Sequence, residues 1–334
     1  MNRRDPYAAC ILCPRRCGVN RRQGKRGYCG EGAGLRISAA VLHRGEEPPL
    51  IGNRGSGTVF VSGCTLGCVF CQNWQISRNG MGTALTETEF VRICLELQAR
   101  GAANINLVTG SHAVPALAAA VSAAKAGGLT LPVLWNSSAY ESAAALDLLA
   151  DTVDVYLPDL KTLDSGIARR FFHAPDYPES AVRAVLTMME QRTLCFTGTS
   201  PAGPGMPEES GAVPALLSGV IIRHLVLPDY LDSTKEVLRW FARHGRGRAL
   251  LSLMMQYTPV EKEPRTGFGH AGPDRAVGRD EYEIILKWLE EFGIEDGFCQ
   301  ELVPGGGGLP DFRRENPFGA LADPVWHWTK KAML

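Results

Sequence analysis

Three cysteines stand within eight residues, Cys64, Cys68 and Cys71, at C-x3-C-x2-C in the run T-V-F-V-S-G-C-T-L-G-C-V-F-C-Q-N-W-Q. Thiolates are soft ligands for iron clusters and zinc, and structural cysteines do not ordinarily crowd in this way. A [4Fe-4S] cube takes four ligands as a rule, so three thiolates from one loop hold three irons and leave the fourth open to a small molecule. The other reading is three-quarters of a zinc site, but the nearest further ligands, His43 and Cys94, stand at spacings that do not suit it. Gly63 and Gly67 allow a tight turn that presents N–H groups to the sulfurs, which tunes a cluster.

A second group, Cys10, Cys13, Cys17 and Cys29, follows C-x2-C-x3-C-x11-C. Four thiolates can close around tetrahedral zinc or a second [4Fe-4S] cluster, and the spacing leaves both open. Either metal would supply folding energy that a loop-rich segment lacks. The basic residues Arg15, Arg16, Arg21, Arg22, Lys25 and Arg26 read as a solvated face that offsets thiolate charge, with a clamp on a phosphate or a partner's carboxylate as the alternative.

Composition narrows the class. With 334 residues, 45% of them hydrophobic, the chain can bury one large core, or one core with a small appendage. Lys plus Arg and Asp plus Glu both number 35, so global charge favours neither nucleic acid nor an anionic membrane. The opening M-N-R-R-D-P-Y lacks the apolar stretch of a secretory signal, and no long apolar run follows. A cytoplasmic protein with no membrane partner is expected. Seven of the ten cysteines fall in the two close-spaced groups, which favours metal ligation in a reducing compartment over disulfides.

The elements that must position these residues alternate from about residue 57. Apolar runs at 59–61, 105–108, 131–135, 153–157, 220–227 and 249–254 read as buried strands. Helical patterns at 88–100, 114–126, 141–150, 180–191 and 233–244 lie between them. Such β-α units in series demand parallel strands, in a sheet that curls into a barrel or stays open and doubly wound. The chain divides into a cysteine-rich metal module at 1–55, the α/β domain at 56–300, and a tail at 301–334 pinned by Trp326 and Trp328. Residues 198–219 read as a surface insertion or lid. Gly305 to Gly308 precede Leu-Pro and do not form a phosphate loop.

In parallel α/β folds chemistry collects at the carboxyl ends of the strands. There stand Thr109-Gly110-Ser111-His112, Asn136-Ser137-Ser138, Asp159-Leu160-Lys161 and Met255-Gln256-Tyr257. Gly110 permits close backbone approach, while the neighbouring hydroxyls and that of Ser137 can hydrogen-bond a ligand. Asp159 and Lys161, two apart on an extended segment, face one side as a charged pair. Arg223 lies inside an apolar run and needs an anionic partner, for which Asp159 is the internal candidate. His224 points the opposite way as a packing residue. Tyr257 either closes a pocket or packs.

C-x3-C-x2-C with Phe70 before its last cysteine resembles the signature of the radical S-adenosylmethionine (SAM) superfamily. The run C-x3-C-V-F-C-Q-N, the tripeptide Asp159-Leu160-Lys161 and I-R-H-L-V-L-P at 222–228 are similar to its pyruvate formate-lyase activating enzyme-like branch, and the likeness spans about residues 57–300. The four-cysteine module ahead of G-S-G-T-V-F-V-S-G-C looks like an uncharacterised iron-sulfur subgroup of that branch. The resemblance implies a partial (β/α)6 TIM-like barrel. It further implies a [4Fe-4S] cluster on Cys64, Cys68 and Cys71, with SAM chelated on the open iron and cleaved reductively to a 5'-deoxyadenosyl radical. Flavodoxin or ferredoxin would supply the electron. SAM contacts are expected from Thr109, Gly110, Ser137, Asp159, Lys161 and Arg223, the last toward SAM's carboxylate. The superfamily's G-G-E-like segment has no glutamate here at 109–112. The radical would activate a glycyl-radical enzyme. Alternatives are modification of a peptide or small molecule with the Cys10–Cys29 module as auxiliary carrier, and a non-catalytic iron-sulfur electron-transfer or scaffold protein.

Overall fold

In the computed structural model, which describes residues 5–198, 213–260, 272–302 and 308–330, the apolar runs become strands of one curled sheet. Its strands are β1 (Leu35–His43), β2 (Ser56–Val61), β3 (Thr83–Leu85), β4 (Ile105–Val108), β5 (Val133–Ser137), β6 (Val155–Pro158), β7 (Cys195–Phe196), β8 (Leu216–Leu225), β9 (Leu250–Met254), β10 (Gly297–Cys299) and β11 (Ala322–His327). The order is β10-β9-β8-β6-β5-β4-β2-β1-β11, parallel from β10 to β2, with β1 and β11 antiparallel at the far edge. The helices used below are α1 (Glu87–Ala99), α2 (Val114–Ala126), α3 (Ala143–Leu149), α4 (Ser165–Phe172), α5 (Tyr177–Gln191), α6 (Leu231–His244) and α7 (Arg279–Glu291).

This is the α/β architecture that the alternation implies, in the partial-barrel form that the resemblance implies. The strands read as continuous apolar runs because both faces are covered. Val59, Leu107, Trp135, Tyr156 and Ile222 pack outward in the main core with Leu97, Leu117, Leu146 and Val237 of the helices. Leu134, Leu157, Ile221 and Leu250 face inward and form a second core with Leu50. Each such side chain contributes about 1.5–3 kcal/mol on burial. Helix starts are written locally: Thr86 and Glu89 form a capping box at α1, and Asp164 accepts from Ile167 N at α4.

Several features differ from the sequence expectation. Residues 35–43, counted with the cysteine-rich module, form β1 and pair with β2, β3 and β11, so position 55 falls inside a β-hairpin. The segment L-R-I-S-A-A-V-L-H is buried along nearly its whole length, and its alanines mute the hydrophobic signal. A further β-α unit lies outside the six apolar runs: β10 extends the parallel sheet beyond β9, with α7 between them. The tail adds β11 to the sheet, Trp326 is buried, and Trp328 Nε1 donates to the Phe312 carbonyl at 2.9 Å. Of the 198–219 insertion, residues 199–212 lie outside the described residues and 216–219 begin β8; 303–307 likewise lie outside. Among the described residues no helix is long and apolar enough to cross a membrane.

Candidate active site

Strand β2 ends at Val61 and delivers the three-cysteine loop at the carboxyl end of the sheet. Gly63 and Gly67 hold φ of 90° and 81°, the left-handed region in which a side chain would be strained. A Cβ on Gly67 would also land 0.8 Å from a guanidinium nitrogen of Arg78. Leu66 N–H donates to Cys64 Sγ at 3.4 Å, and Cys71 Sγ lies 3.4 Å from Ser77 Oγ. Phe70 meets Phe171, Phe172 and Tyr257 edge-on, which anchors the loop to α4 and to the segment after β9. Tyr257 is therefore packing: it is buried, and its hydroxyl donates to the Pro273 carbonyl at 2.8 Å.

Burial pushes the Cys68 thiol up to about 12 and raises Cys71 as well. The cations of Lys161 and Arg78 act against the rise at Cys68, and Lys161 also at Cys71. A metal needs thiolates, so these cations favour the ligating form. Among the described residues no three His, Cys, Asp or Glu side chains converge on a point that would hold a single metal ion. Ligands to separate corners of a cube need not converge in that way. The thiols, the N–H directed at Cys64 and the adjacent cations fit such a cluster.

The other expected residues divide. Lys161 Nζ and Asp159 Oδ2 meet at 2.6 Å, and Tyr177 braces the turn by donating to the Asp159 carbonyl while accepting from Lys161 N–H. Burial opposes the Lys161 charge, but Asp159 and the Cys68 thiol outweigh it and hold the ammonium above its ordinary pKa. Thr109 is half-buried with φ of 64°, an unusual conformation for a β-branched residue. Gly110 is required for packing, since a Cβ there would approach Leu117 and Trp135 to 2.6 Å.

Ser137 shares its side of β5 with Val133 and Trp135, whose side chains belong to the helix-facing core; its hydroxyl accepts from Ala139 N. Strand alternation leaves Asn136 on the inner face with Leu134. Behind the strands Glu141 accepts from Ser111 Oγ at 2.6 Å and Trp135 Nε1 at 3.2 Å, and burial raises its pKa.

Arg223 departs furthest from expectation. Its Nε donates to Glu47 Oε1 at 2.8 Å, and a terminal nitrogen bonds Glu46 Oε2 at 2.6 Å and Glu47 Oε2. Its anionic partners are thus two protein carboxylates from the β1–β2 connection, not Asp159, and the guanidinium is already neutralised without a ligand. His224 is the packing residue anticipated, bonded to the Leu160 carbonyl and Thr234 Oγ1.

In the first module, burial raises the Cys13 thiol to about 12, and the nearby thiols of Cys10, Cys29 and Cys17 add to the rise. The basic run is not uniformly solvated. Arg16, Arg22, Lys25 and Arg26 are exposed, but Arg21 is buried, donates to the carbonyls of His112 and Gly32 and stacks on Tyr7. Arg15 reaches the three-cysteine loop, donating to the Thr65 and Leu66 carbonyls at 3.2 and 3.0 Å. Tyr28 OH donates to the Leu66 carbonyl at 3.1 Å. Sequence spacing carries no signal for these contacts, because the partners lie 38 to 51 positions apart.

Residues 58–212 match the profile of the radical SAM superfamily. It is also 28% identical over 296 residues to the uncharacterized protein MJ0674 of Methanocaldococcus jannaschii, covering 86% of this chain and 76% of that one. Among solved structures, Streptococcus suis SuiB bound to S-adenosylmethionine aligns with a TM-score of 0.47 and 13% identity over 71% of this chain. The match spans about half of SuiB, 48%. A domain of a pyruvate-formate lyase-activating enzyme from Bacteroides vulgatus aligns with a TM-score of 0.37 and 12% identity, covering 56% of this chain and 91% of that domain.

Proposed function

We propose that the chain is a radical SAM enzyme whose [4Fe-4S] cluster is held by Cys64, Cys68 and Cys71. The observation that carries this reading is the three-thiol loop at the carboxyl end of β2, beside the Lys161 ammonium, while the next cysteine, Cys94, is buried in α1 within the main core. Held on those thiols, the cluster with SAM would supply one-electron reductive cleavage of a sulfonium C–S bond, giving methionine and a 5'-deoxyadenosyl radical. The protein's share is binding, orientation and exclusion of water. Lys161, fixed by Asp159, offers a cation to SAM's carboxylate in place of Arg223, which Glu46 and Glu47 already engage. Thr109 and Asn136 offer polar groups at neighbouring strand ends, and the Phe70 cluster shields one side of the loop. Reduced flavodoxin or ferredoxin is the proposed electron donor, and the proposed compartment is the cytoplasm.

Anaerobic reconstitution followed by dithionite and SAM should yield 5'-deoxyadenosine by chromatography. No product, together with an iron content unchanged by Cys68→Ala, would remove the proposal.

The substrate follows two lines. The Asp159-Leu160-Lys161 and 222–228 motifs favour activation of a glycyl-radical enzyme; a glycyl doublet in electron paramagnetic resonance (EPR) of mixtures with candidate partners is the expected signature. A cleft of about 400 Å³ at β8–β10, lined by Glu46, Glu47, Arg223, Ser252, Met254 and Gln300, favours a small molecule instead. The four-cysteine module, lying against the catalytic loop, would then serve as a second iron-sulfur carrier or a zinc staple, which metal analysis separates.

A further inference from the structure

The peptide unit joining Thr65 to Leu66 is engaged on both sides. Its carbonyl accepts from Arg15 Nε at 3.2 Å, and its N–H donates to Cys64 Sγ at 3.4 Å. In a trans peptide these two groups point in opposite directions, so the guanidinium and the sulfur are linked through one dipole. Arg15 is held firmly for this task. Its terminal nitrogens donate to the carbonyls of Leu66 at 3.0 Å, Phe172 at 2.8 Å and His173. Its guanidinium also rests 3.9 Å from the centre of the Tyr28 ring, and Tyr28 OH itself donates to the Leu66 carbonyl. The residue comes from neither the barrel nor the catalytic loop. It lies between Cys13 and Cys17, two of the first module's cysteines.

We infer that Arg15 is a positioning residue that raises the reduction potential of the cluster on Cys64, Cys68 and Cys71, acting through the Thr65–Leu66 peptide. The inference rests on the radical SAM reading of that loop. Reduction adds one electron to the cluster, so a cation behind an inward N–H stabilises the reduced form more than the oxidised one. Hydrogen bonds to cluster sulfurs and local charge are the levers by which a protein sets such potentials. By fixing the Thr65 and Leu66 carbonyls on its own side, Arg15 also keeps the N–H turned toward sulfur. The four-cysteine module thereby reaches the catalytic site without contributing a ligand to it.

The test compares wild type, Arg15→Gln and Arg15→Lys after anaerobic reconstitution. Iron and sulfide are counted, and the midpoint is followed by EPR without SAM, using the signal that Cys68→Ala abolishes. Arg15→Gln should keep the wild-type iron at the loop and show a lower midpoint, read as a roughly tenfold smaller ratio of reduced to oxidised cluster at fixed poise, about 59 mV for one electron. Arg15→Lys, which keeps the charge but not the fork across four carbonyls, should fall between. Equal midpoints in all three proteins overturn the inference while leaving the radical SAM reading intact. Should Arg15→Gln take up no iron, Arg15→Lys decides alone, and an unshifted midpoint there overturns it. A wild type with no reducible cluster dependent on Cys68 overturns the parent reading, and this inference with it.

Discussion

Arg223 and Glu47, 176 positions apart, meet inside the curled sheet with Nε donating to Oε1 at 2.8 Å. Glu46 completes the network, and against the opposing effect of burial Arg223, helped by His43, holds its carboxyl below the usual carboxylate range. The connection between β1 and β2 is thereby tied to β8 on the other limb of the sheet. Removing one partner of a buried pair leaves an uncompensated charge, which typically costs about 3–5 kcal/mol. Arg223→Gln, which leaves both carboxylates without their guanidinium, should lose stability on that order in urea denaturation followed by circular dichroism. A loss under about 0.5 kcal/mol would mean that the network is slack.

Lys161 is a cation held by Asp159 beside the Cys68 thiol of the three-cysteine loop. Lys161→Met should weaken SAM binding by at least about tenfold, or about 1.4 kcal/mol, while Asp159 loses its partner. Isothermal titration on the reconstituted protein reads this directly. Unchanged affinity would move the carboxylate contact elsewhere.

Gly110 sits where Leu117 of α2 and Trp135 of β5 close over it. Gly110→Ala forces one of those rigidly packed groups to move, an overpacking cost of about 1–3 kcal/mol. The expectation is a lower melting temperature with the secondary structure retained. An unaltered melting temperature would show that the neighbours yield freely.

Acid should destabilise the fold partly through His224. Burial lowers its pKa from 6.5 to about 4, with Lys161 acting in the same direction against the Leu160 carbonyl and Asp159. The unfolded chain therefore binds more protons than the folded one between these values, so the stability is present above pH 6.5 and is lost as pH falls toward 4. A gap of this size corresponds to a contribution on the order of 3 kcal/mol. His224→Gln should flatten the pH dependence of unfolding over that window. An identical slope in wild type and variant would assign the effect to other groups, such as His112, whose pKa burial also lowers.

Much of this arrangement is legible in the residues, and the losses have physical causes. Strands 105–108 and 249–254 stand out because buried parallel strands are short apolar runs, and helix 114–126 because an alanine-rich run stops at Gly127-Gly128. The Asp159–Lys161 pair follows from two-residue alternation, and the same rule points from Ser137 to Asn136 as the inward residue. Arg223 illustrates the limit. Its need for an anion is readable from one strand, but Glu46 and Glu47 lie far away in sequence. The basic run misleads for the same reason: charge suggests solvent, yet tertiary contacts bury Arg21 and carry Arg15 to the three-cysteine loop. Strand β1 is hidden by its small residues, and its place in the sheet is set by partners at both ends of the chain.

Mössbauer spectroscopy with quantitative iron on the anaerobic protein, with and without SAM, tests the central claim most directly. A cluster with one iron lacking a thiolate should show a distinct subsite whose parameters shift when SAM is added, and Cys68→Ala should abolish it. A loop cluster with all irons thiolate-bound and indifferent to SAM, or no iron dependent on Cys68, would contradict the account.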